Sequence, residues 1–295
     1  MDPSGANTLM PAHPERIDVS IVMPCLDEVR CLPACIANAR LALTQIRSRL
    51  GLSGEIVVAD NGSTDGSQAL AARLGARVVD VATRGYGAAL MGGALAANGR
   101  YIVMGDADGS YDFCDAVAMV EKLVSGADLC VGSRFEGGIR PGAMPWKNRY
   151  IGNPILTGIL NILFRAGISD AHCGLRALTK ACFLKLDLSG TGMEFASEMV
   201  IKAALKRCRI AEAPATLSPD LRDRPPHLRP WRDGWRHLRY LLMLSPYWVF
   251  ALPAALLAAA ALSVFTISGA AVLTGGWRNS FFGNYWVILS GAMLS

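Results

Sequence analysis

Charge is missing from one long stretch of this sequence: between Tyr240 and Trp277 there is no Asp, Glu, Lys or Arg. The run exceeds the roughly 20 apolar residues that cross a bilayer. It predicts at least one membrane span, about Tyr247 to Leu273, with Pro253 tolerated in lipid. A secretory leader is missing too, because Met1 to Arg16 is polar, contains proline and has no apolar core. The eight cysteines are therefore expected in a reduced compartment. Zinc-ligand spacing is absent: Cys25, Cys31 and Cys35 are separated by five and three residues with no histidine nearby, a poor tetrahedral set. There is no G-x-x-x-x-G-K-[ST] loop, and Gly85-Tyr86-Gly87 lacks the third glycine of a dinucleotide loop. No internal repeat or low-complexity block appears. Charge excess is small and local: within residues 222–239 six arginines (222, 224, 229, 232, 236 and 239) face only Asp223 and Asp233, out of a net +5 for the whole chain. The near-neutral remainder excludes a nucleic-acid surface. Arginines just before a span mark its cytoplasmic side.

What is present, across 295 residues, is an alternation of short β-branched runs with helical stretches. The runs are Val19 to Met23, Glu55 to Ala59, Arg77 to Val81, Tyr101 to Met104 and Leu129 to Gly132, and Ile36, Ala39, Leu43, Ile46 and Leu50 recur at helical spacing between the first two. This rhythm predicts a parallel α/β sheet with helices on both faces, which binds ligands at the C-terminal ends of its strands. Those ends carry Pro24 to Glu28, Asp60 to Asp65, Gly105 to Ser110, and Ser133-Arg134. Polar groups falling repeatedly at that point of the repeat mark a site.

The pair Asp106-Ala107-Asp108 directly after an apolar run suits one hard cation that keeps positions open for phosphate oxygens, hence Mg²⁺ or Mn²⁺. An EF-hand is excluded, because Tyr111 and Val117 stand where its Gly and Glu are required. Two readings stay open for Arg84 with the small-residue helix start after it, phosphate contact or close packing. Two are open for the charge-poor helix Tyr150 to Phe164, a core helix or a surface helix against a bilayer. Asp170 and His172 admit an acid–base pair, or a structural role in which Asp170 grips the loop and His172 packs beneath it. Met193 to Lys206 reads as another helix. Beyond it Trp231, Trp235, Leu238 and Leu242 share one helical face, and Arg232, Arg236 and Arg239 another, an interfacial pattern. The stretch 279–295 is marginal for a second span.

Taken together, Ile21-Val-Met-Pro-Cys-Leu-Asp-Glu28, Val57-Val-Ala-Asp-Asn-Gly-Ser-Thr-Asp65, Arg84-Gly-Tyr-Gly-Ala-Ala-Leu90, Asp106-Ala-Asp108, Gly132-Ser-Arg-Phe135 and Asp170-Ala-His-Cys-Gly-Leu-Arg176 resemble the family 2 glycosyltransferases of GT-A fold. The similar branch is that of the dolichol-phosphate mannose or glucose synthases, over about residues 17 to 245. The resemblance implies a GT-A, Rossmann-like, mostly parallel sheet with flanking helices, followed by C-terminal interfacial helices and transmembrane segments. It implies a nucleotide-sugar site at Pro24, Glu28, Asp60, Arg84 and Asp106, a metal held by Asp106 and Asp108, and acceptor-phosphate contacts at Arg134, Arg149, Asn153 and Arg222. Asp106, Asp108 and Arg134 would carry the catalysis. Three departures bear on sugar and base choice while leaving the metal pair intact: Cys25 for an aromatic or small residue, Asn61 for a second Asp, and Gly109-Ser110 for Leu-Gln.

The implied division is a tail at 1–16, a catalytic domain at 17–218, a basic juxtamembrane segment at 219–245 and a transmembrane region at 246–295. The implied activity is inverting hexose transfer from a nucleotide-sugar to polyprenyl phosphate, at the cytosolic face of an inner or plasma membrane. UDP-glucose is the favoured donor, with GDP-mannose and UDP-N-acetylhexosamine as alternatives; association of identical copies is left open. A processive polysaccharide synthase would carry Gln-x-x-Arg-Trp and Thr-Glu-Asp, neither of which occurs, and an inactive nucleotide-sugar scaffold would not need the intact carboxylate pair. A phosphate acceptor is already charged at pH 7 because its second pKa is about 6. No dedicated general base is therefore expected, and Glu198 is assigned a structural or sugar-contacting role.

Overall fold

The β-branched run of β1 (Val19–Cys25) is buried along its length except for a half-buried Pro24, as befits a strand covered on both faces. In this computed structural model, which describes residues 16–222, 230–245 and 247–273, β1 is central. It pairs in parallel with β2 (Gly54–Asp60) and with β4 (Tyr101–Met104), and β2 pairs in parallel with β3 (Arg77–Asp80). Between them run α1 (Leu32–Leu50), α2 (Ser67–Arg73) and α3 (Tyr86–Ala96). The helical spacing noted in α1 buries Ile36, Ala39 and Ile46, while Leu43 and Leu50 are half-buried.

After β4 come α4 (Ala116–Val124), β5 (Leu129–Ser133), the short α5 (Arg134–Gly137) and α6 (Asn153–Phe164). They are followed by β6 (Arg176–Thr179), α7 (Lys180–Leu186), α8 (Phe195–Leu205) and β7 (Ile210–Pro214). All five sequence-read strands are present, and β6 and β7 complete a seven-stranded sheet of order β3-β2-β1-β4-β6-β5-β7. β6 runs antiparallel to both β4 and β5, and β7 runs parallel to β5. The sheet is thus mixed, though mostly parallel. The antiparallel insertion places the loop before β6 beside the end of β4, where Asp106 and Asp108 emerge.

α6 follows a π-helical turn at Asn148–Gly152. The core-helix reading of this stretch does not hold: α6 buries only Thr157 and Leu160, while Ile155 and Ile162 are exposed. Described by itself, the C-terminal unit begins at Arg239. The boundary falls within α9 (Pro230–Met243), which is followed by a π-helical turn at Tyr247–Ala251 and by α10 (Leu252–Leu273). Residues 247–266 form one helical stretch long and apolar enough to cross a membrane, and it is almost wholly exposed. The tail 1–15, Arg224 and Arg229, the side chains of Trp231, Arg232 and Arg236, and the stretch 279–295 lie outside the described residues.

Candidate active site

The chain leaves β4 through Gly105 and presents two carboxylates within three residues. Asp108 is buried at 7 % exposure. Its Oδ1 accepts the Ser110 N–H at 2.9 Å and the Ser110 hydroxyl at 2.6 Å, and its Oδ2 lies 3.2 Å from Arg222 Nη1. Asp106 Oδ1 accepts the Tyr86 hydroxyl at 2.8 Å. Gly174, from the loop before β6, packs against Asp106 Oδ2, which an added Cβ would approach to 2.7 Å. Burial and then the Asp108 charge push the Asp106 carboxyl up to about 6, against the opposing pull of Tyr86, Arg222 and Arg134. Among the described residues no third His, Cys, Asp or Glu joins them to make an all-protein metal cage. Two mutually repelling carboxylates with no third ligand fit an oxygen-preferring divalent cation that draws its other ligands from a substrate.

The neighbouring strand ends converge on the same edge. Asp60, fully buried, takes Gly62 N–H (2.9 Å), Ser63 N–H (3.0 Å) and Gln68 Nε2 (2.6 Å) on Oδ2. Burial raises its pKa, but these bonds outweigh it and hold the carboxyl below the usual range. Asp60 Oδ1 is buried without a protein partner. Glu28 lines a cavity of about 310 Å³ with Asp27, Cys31, Asp65 and Arg222. A larger cavity of about 380 Å³ opens at the opposite end of β2, between Arg40, Arg47, Gly54 and Arg77, away from the carboxylates. Pro24 sits half-buried near the end of β1.

Asn61, where the family pattern has an aspartate, donates from Nδ2 to the Val81 (2.9 Å) and Thr83 (2.7 Å) carbonyls and accepts Gly85 N–H (2.8 Å). A carboxylate has no such donor, so the amide is a stitch between β2 and the loop after β3. Arg84 is exposed and donates to the Asn61 and Gly62 carbonyls. The adjacent glycines serve packing. Gly85 has φ +136°, and an added Cβ there would stand 2.1 Å from the Thr191 carbonyl oxygen. At Gly87 it would stand 2.2 Å from that of Gly190. Only glycine allows the loop before α8 to lie this close to α3.

On the other flank Arg134, 7 % exposed, donates from Nε to Asp170 Oδ2 (2.6 Å) and from Nη2 to Asp170 Oδ1 (2.7 Å). No described bond uses its Nη1. Arg222 binds Glu28 Oε1 through Nε at 2.7 Å besides meeting Asp108. Arg149 and Asn153 are not brought into a described contact with the carboxylates: the Arg149 guanidinium lies 5.3 Å over the Tyr150 ring, and Asn153 donates to the Met144 sulfur. The His172 ring Nε2 lies 3.4 Å from the Ser197 hydroxyl, and the His172 backbone N–H donates to Asp170 Oδ1.

Glu198 is fully buried and saturated by Ser189 N–H and hydroxyl, Gly190 N–H and Lys202. It is a structural tie. Three residues escaped sequence reasoning. Tyr86 holds Asp106. The Tyr111 hydroxyl accepts the Gly174 N–H at 2.9 Å. Arg176, 2 % exposed, donates to the carbonyls of Cys173, Ala171 and Ala196 and so shapes the loop carrying Asp170. Tyr86 and Arg176 lay inside quoted motifs, but their partners are remote in sequence.

Residues 20–186 match the model of the glycosyl transferase family 2. The chain is 39 % identical over 88 % of its length to the low-salt glycan biosynthesis hexosyltransferase Agl6 of Haloferax volcanii, and spans 61 % of that relative's length. It is 27 % identical to a dolichyl-phosphate hexose transferase of the same organism, over 67 % of this chain and 81 % of that one. Its fold is similar to that of glucosyl-3-phosphoglycerate synthase from Mycobacterium tuberculosis, solved with Mn²⁺ and UDP-glucose, with a TM-score of 0.59 at 21 % identity and coverage of 78 % and 79 % of the two chains. The chain belongs to glycosyltransferase family 2, and its α/β sheet is GT-A-like.

Proposed function

We propose that this family 2 glycosyltransferase transfers a hexose, with inversion, from a nucleotide-sugar to a polyprenyl phosphate at the cytosolic face of a membrane. The observation that carries the reading is one sheet edge holding the carboxylate pair Asp106 and Asp108 together with buried Arg134, whose Nη1 is not engaged by Asp170. Asp106 and Asp108 would hold a divalent cation, which when bound would supply the charge that makes the nucleoside diphosphate a good leaving group. The buried, unpartnered Asp60 Oδ1 is an acceptor suited to a nucleoside N–H, and Glu28 lines a cavity with Asp65 and Arg222. Arg134, with Nε and Nη2 spent on Asp170, aims its remaining end at the acceptor phosphate. A phosphate oxygen attacks the anomeric carbon as the bond to the diphosphate breaks. Since the acceptor already carries charge, aim rather than deprotonation is what the site must provide.

A lipid acceptor is supported by the names of relatives, among them the dolichyl-phosphate hexose transferase. It is also supported by the apolar helical stretch 247–266 and the apolar surface of α6. UDP-glucose is favoured by the ligand of the structural neighbour. The test supplies membranes carrying the full chain with Mg²⁺, undecaprenyl phosphate and each labelled donor in turn. Label entering organic solvent from one donor, absent in EDTA and in Asp108→Ala, is the expected result. Transfer persisting in EDTA would overturn the metal reading, and label entering only water-soluble product would overturn the lipid acceptor.

A further inference from the structure

The segment after β7 is strapped across the loop that carries the two carboxylates. Leu217 forms β-bridges to Tyr111 and Ile139. Ser218 N–H donates to the Ser110 carbonyl and Leu221 N–H to the Asp108 carbonyl, each at 2.8 Å. The Leu221 side chain lies over Gly109, where an added Cβ would meet it at 2.6 Å. These contacts deliver the next residue, Arg222, into the site at 16 % side-chain exposure, between Glu28 (2.7 Å) and Asp108 (3.2 Å). Arg222 therefore places a permanent positive charge against one of the two groups that would hold a metal; a guanidinium does not lose its proton to make way.

We propose that Arg222 is an electrostatic latch that makes metal and nucleoside diphosphate bind together rather than separately. The proposal rests on the reading of Asp106 and Asp108 as metal ligands. A cation arriving alone must take Asp108 Oδ2 from the guanidinium and then sit beside a like charge. A cation arriving with a diphosphate meets a different balance, because the displaced fork finds phosphate oxygens, its preferred bidentate partners, within the same site. Glu28 keeps the arm anchored near the carboxylates during the exchange. The strap's backbone bonds, which involve neither Arg222 side-chain end, keep the swing to side-chain torsions. By linkage, the factor by which nucleotide tightens metal binding equals the factor by which metal tightens nucleotide binding. Arg222 raises both by penalising the state in which metal is bound alone.

The experiment follows free Mn²⁺ by electron paramagnetic resonance while the full chain in detergent is titrated, without nucleotide and with saturating UDP or GDP. Wild type, Arg222→Gln and Arg222→Lys are compared. Arg222→Gln should bind Mn²⁺ alone about fivefold or more tighter than wild type, with a correspondingly smaller enhancement by nucleotide. A merely structural arginine would not tighten metal binding when removed. Unchanged or weaker metal binding in folded Arg222→Gln, or an undiminished nucleotide enhancement, overturns the latch. Should Arg222→Gln fail to fold, Arg222→Lys decides: its unforked ammonium cannot span Glu28 and Asp108 as the guanidinium does, so its metal-alone affinity must exceed that of wild type. Wild type that binds no Mn²⁺ with either nucleotide removes the metal reading itself. Wild type that binds it with nucleotide, while both variants behave as wild type does, removes the latch alone.

Discussion

Asp170 receives Arg134 on both oxygens, at 2.6 and 2.7 Å, and its Oδ2 also accepts the Arg134 backbone N–H at 3.2 Å. Both side chains are buried, so the pair is a fixed mount for the guanidinium and each partner is costly to lose alone. Asp170→Asn should lower stability by about 3 kcal/mol in chemical denaturation, through an uncompensated buried arginine.

The pH dependence of the same pair has a defined sign. Burial raises the Asp170 pKa, but the Arg134 bonds and charge outweigh it and hold the carboxyl below the ordinary range. The stabilisation is therefore complete above the unfolded value of about 3.9 and is lost as pH falls through the lower folded value. Wild type should weaken on acidification below about pH 4, and Asp170→Asn should lack that part of the slope. Equal acid slopes for the two proteins would remove the assignment.

Tyr86→Phe deletes one hydroxyl, the one that holds Asp106 Oδ1. Partners that orient a metal-binding carboxylate typically matter by about 10- to 100-fold in metal affinity or activity. The Mn²⁺ dependence of transfer should shift to higher concentration by a factor in that range while thermal stability changes little. A Phe variant with wild-type Mn²⁺ dependence would make the hydroxyl a packing feature only.

Transfer should rise with pH through about 6 to 7, following the second ionisation of the acceptor phosphate, and flatten above it. Glu198→Gln should keep that midpoint and retain turnover, yet lose about 1–3 kcal/mol of stability, because the new amide faces the donors of Ser189, Gly190 and Lys202. Inactivity as complete as in Asp108→Ala, restored by a small external base, would show that Glu198 takes the acceptor's proton.

Much of the catalytic sheet was legible because its signals are local. Five β-branched runs, four of them ending in polar residues, mark strands whose termini share one edge, and the charge-free stretch marks the apolar helix. β6 was not legible: Arg176 to Thr179 is four residues long, opens on an arginine and passes directly into α7. Nor was β7, which contains Glu212 and ends at Pro214, residues tolerated there because the strand lies at the sheet edge.

The sequence by itself determined which residues stand at the strand ends, and hence the carboxylate pair, since strand period and turn chemistry act over a few residues. Only the tertiary structure decided what each one touches. The antiparallel insertion of β6 between β4 and β5 brings Gly174 against Asp106 and Asp170 onto Arg134. The strap from β7 returns Arg222 to Asp108 and to Glu28, the latter 194 residues earlier in the chain. Such pairings depend on closing long loops around a shared core, and no local pattern of side chains encodes where those loops close.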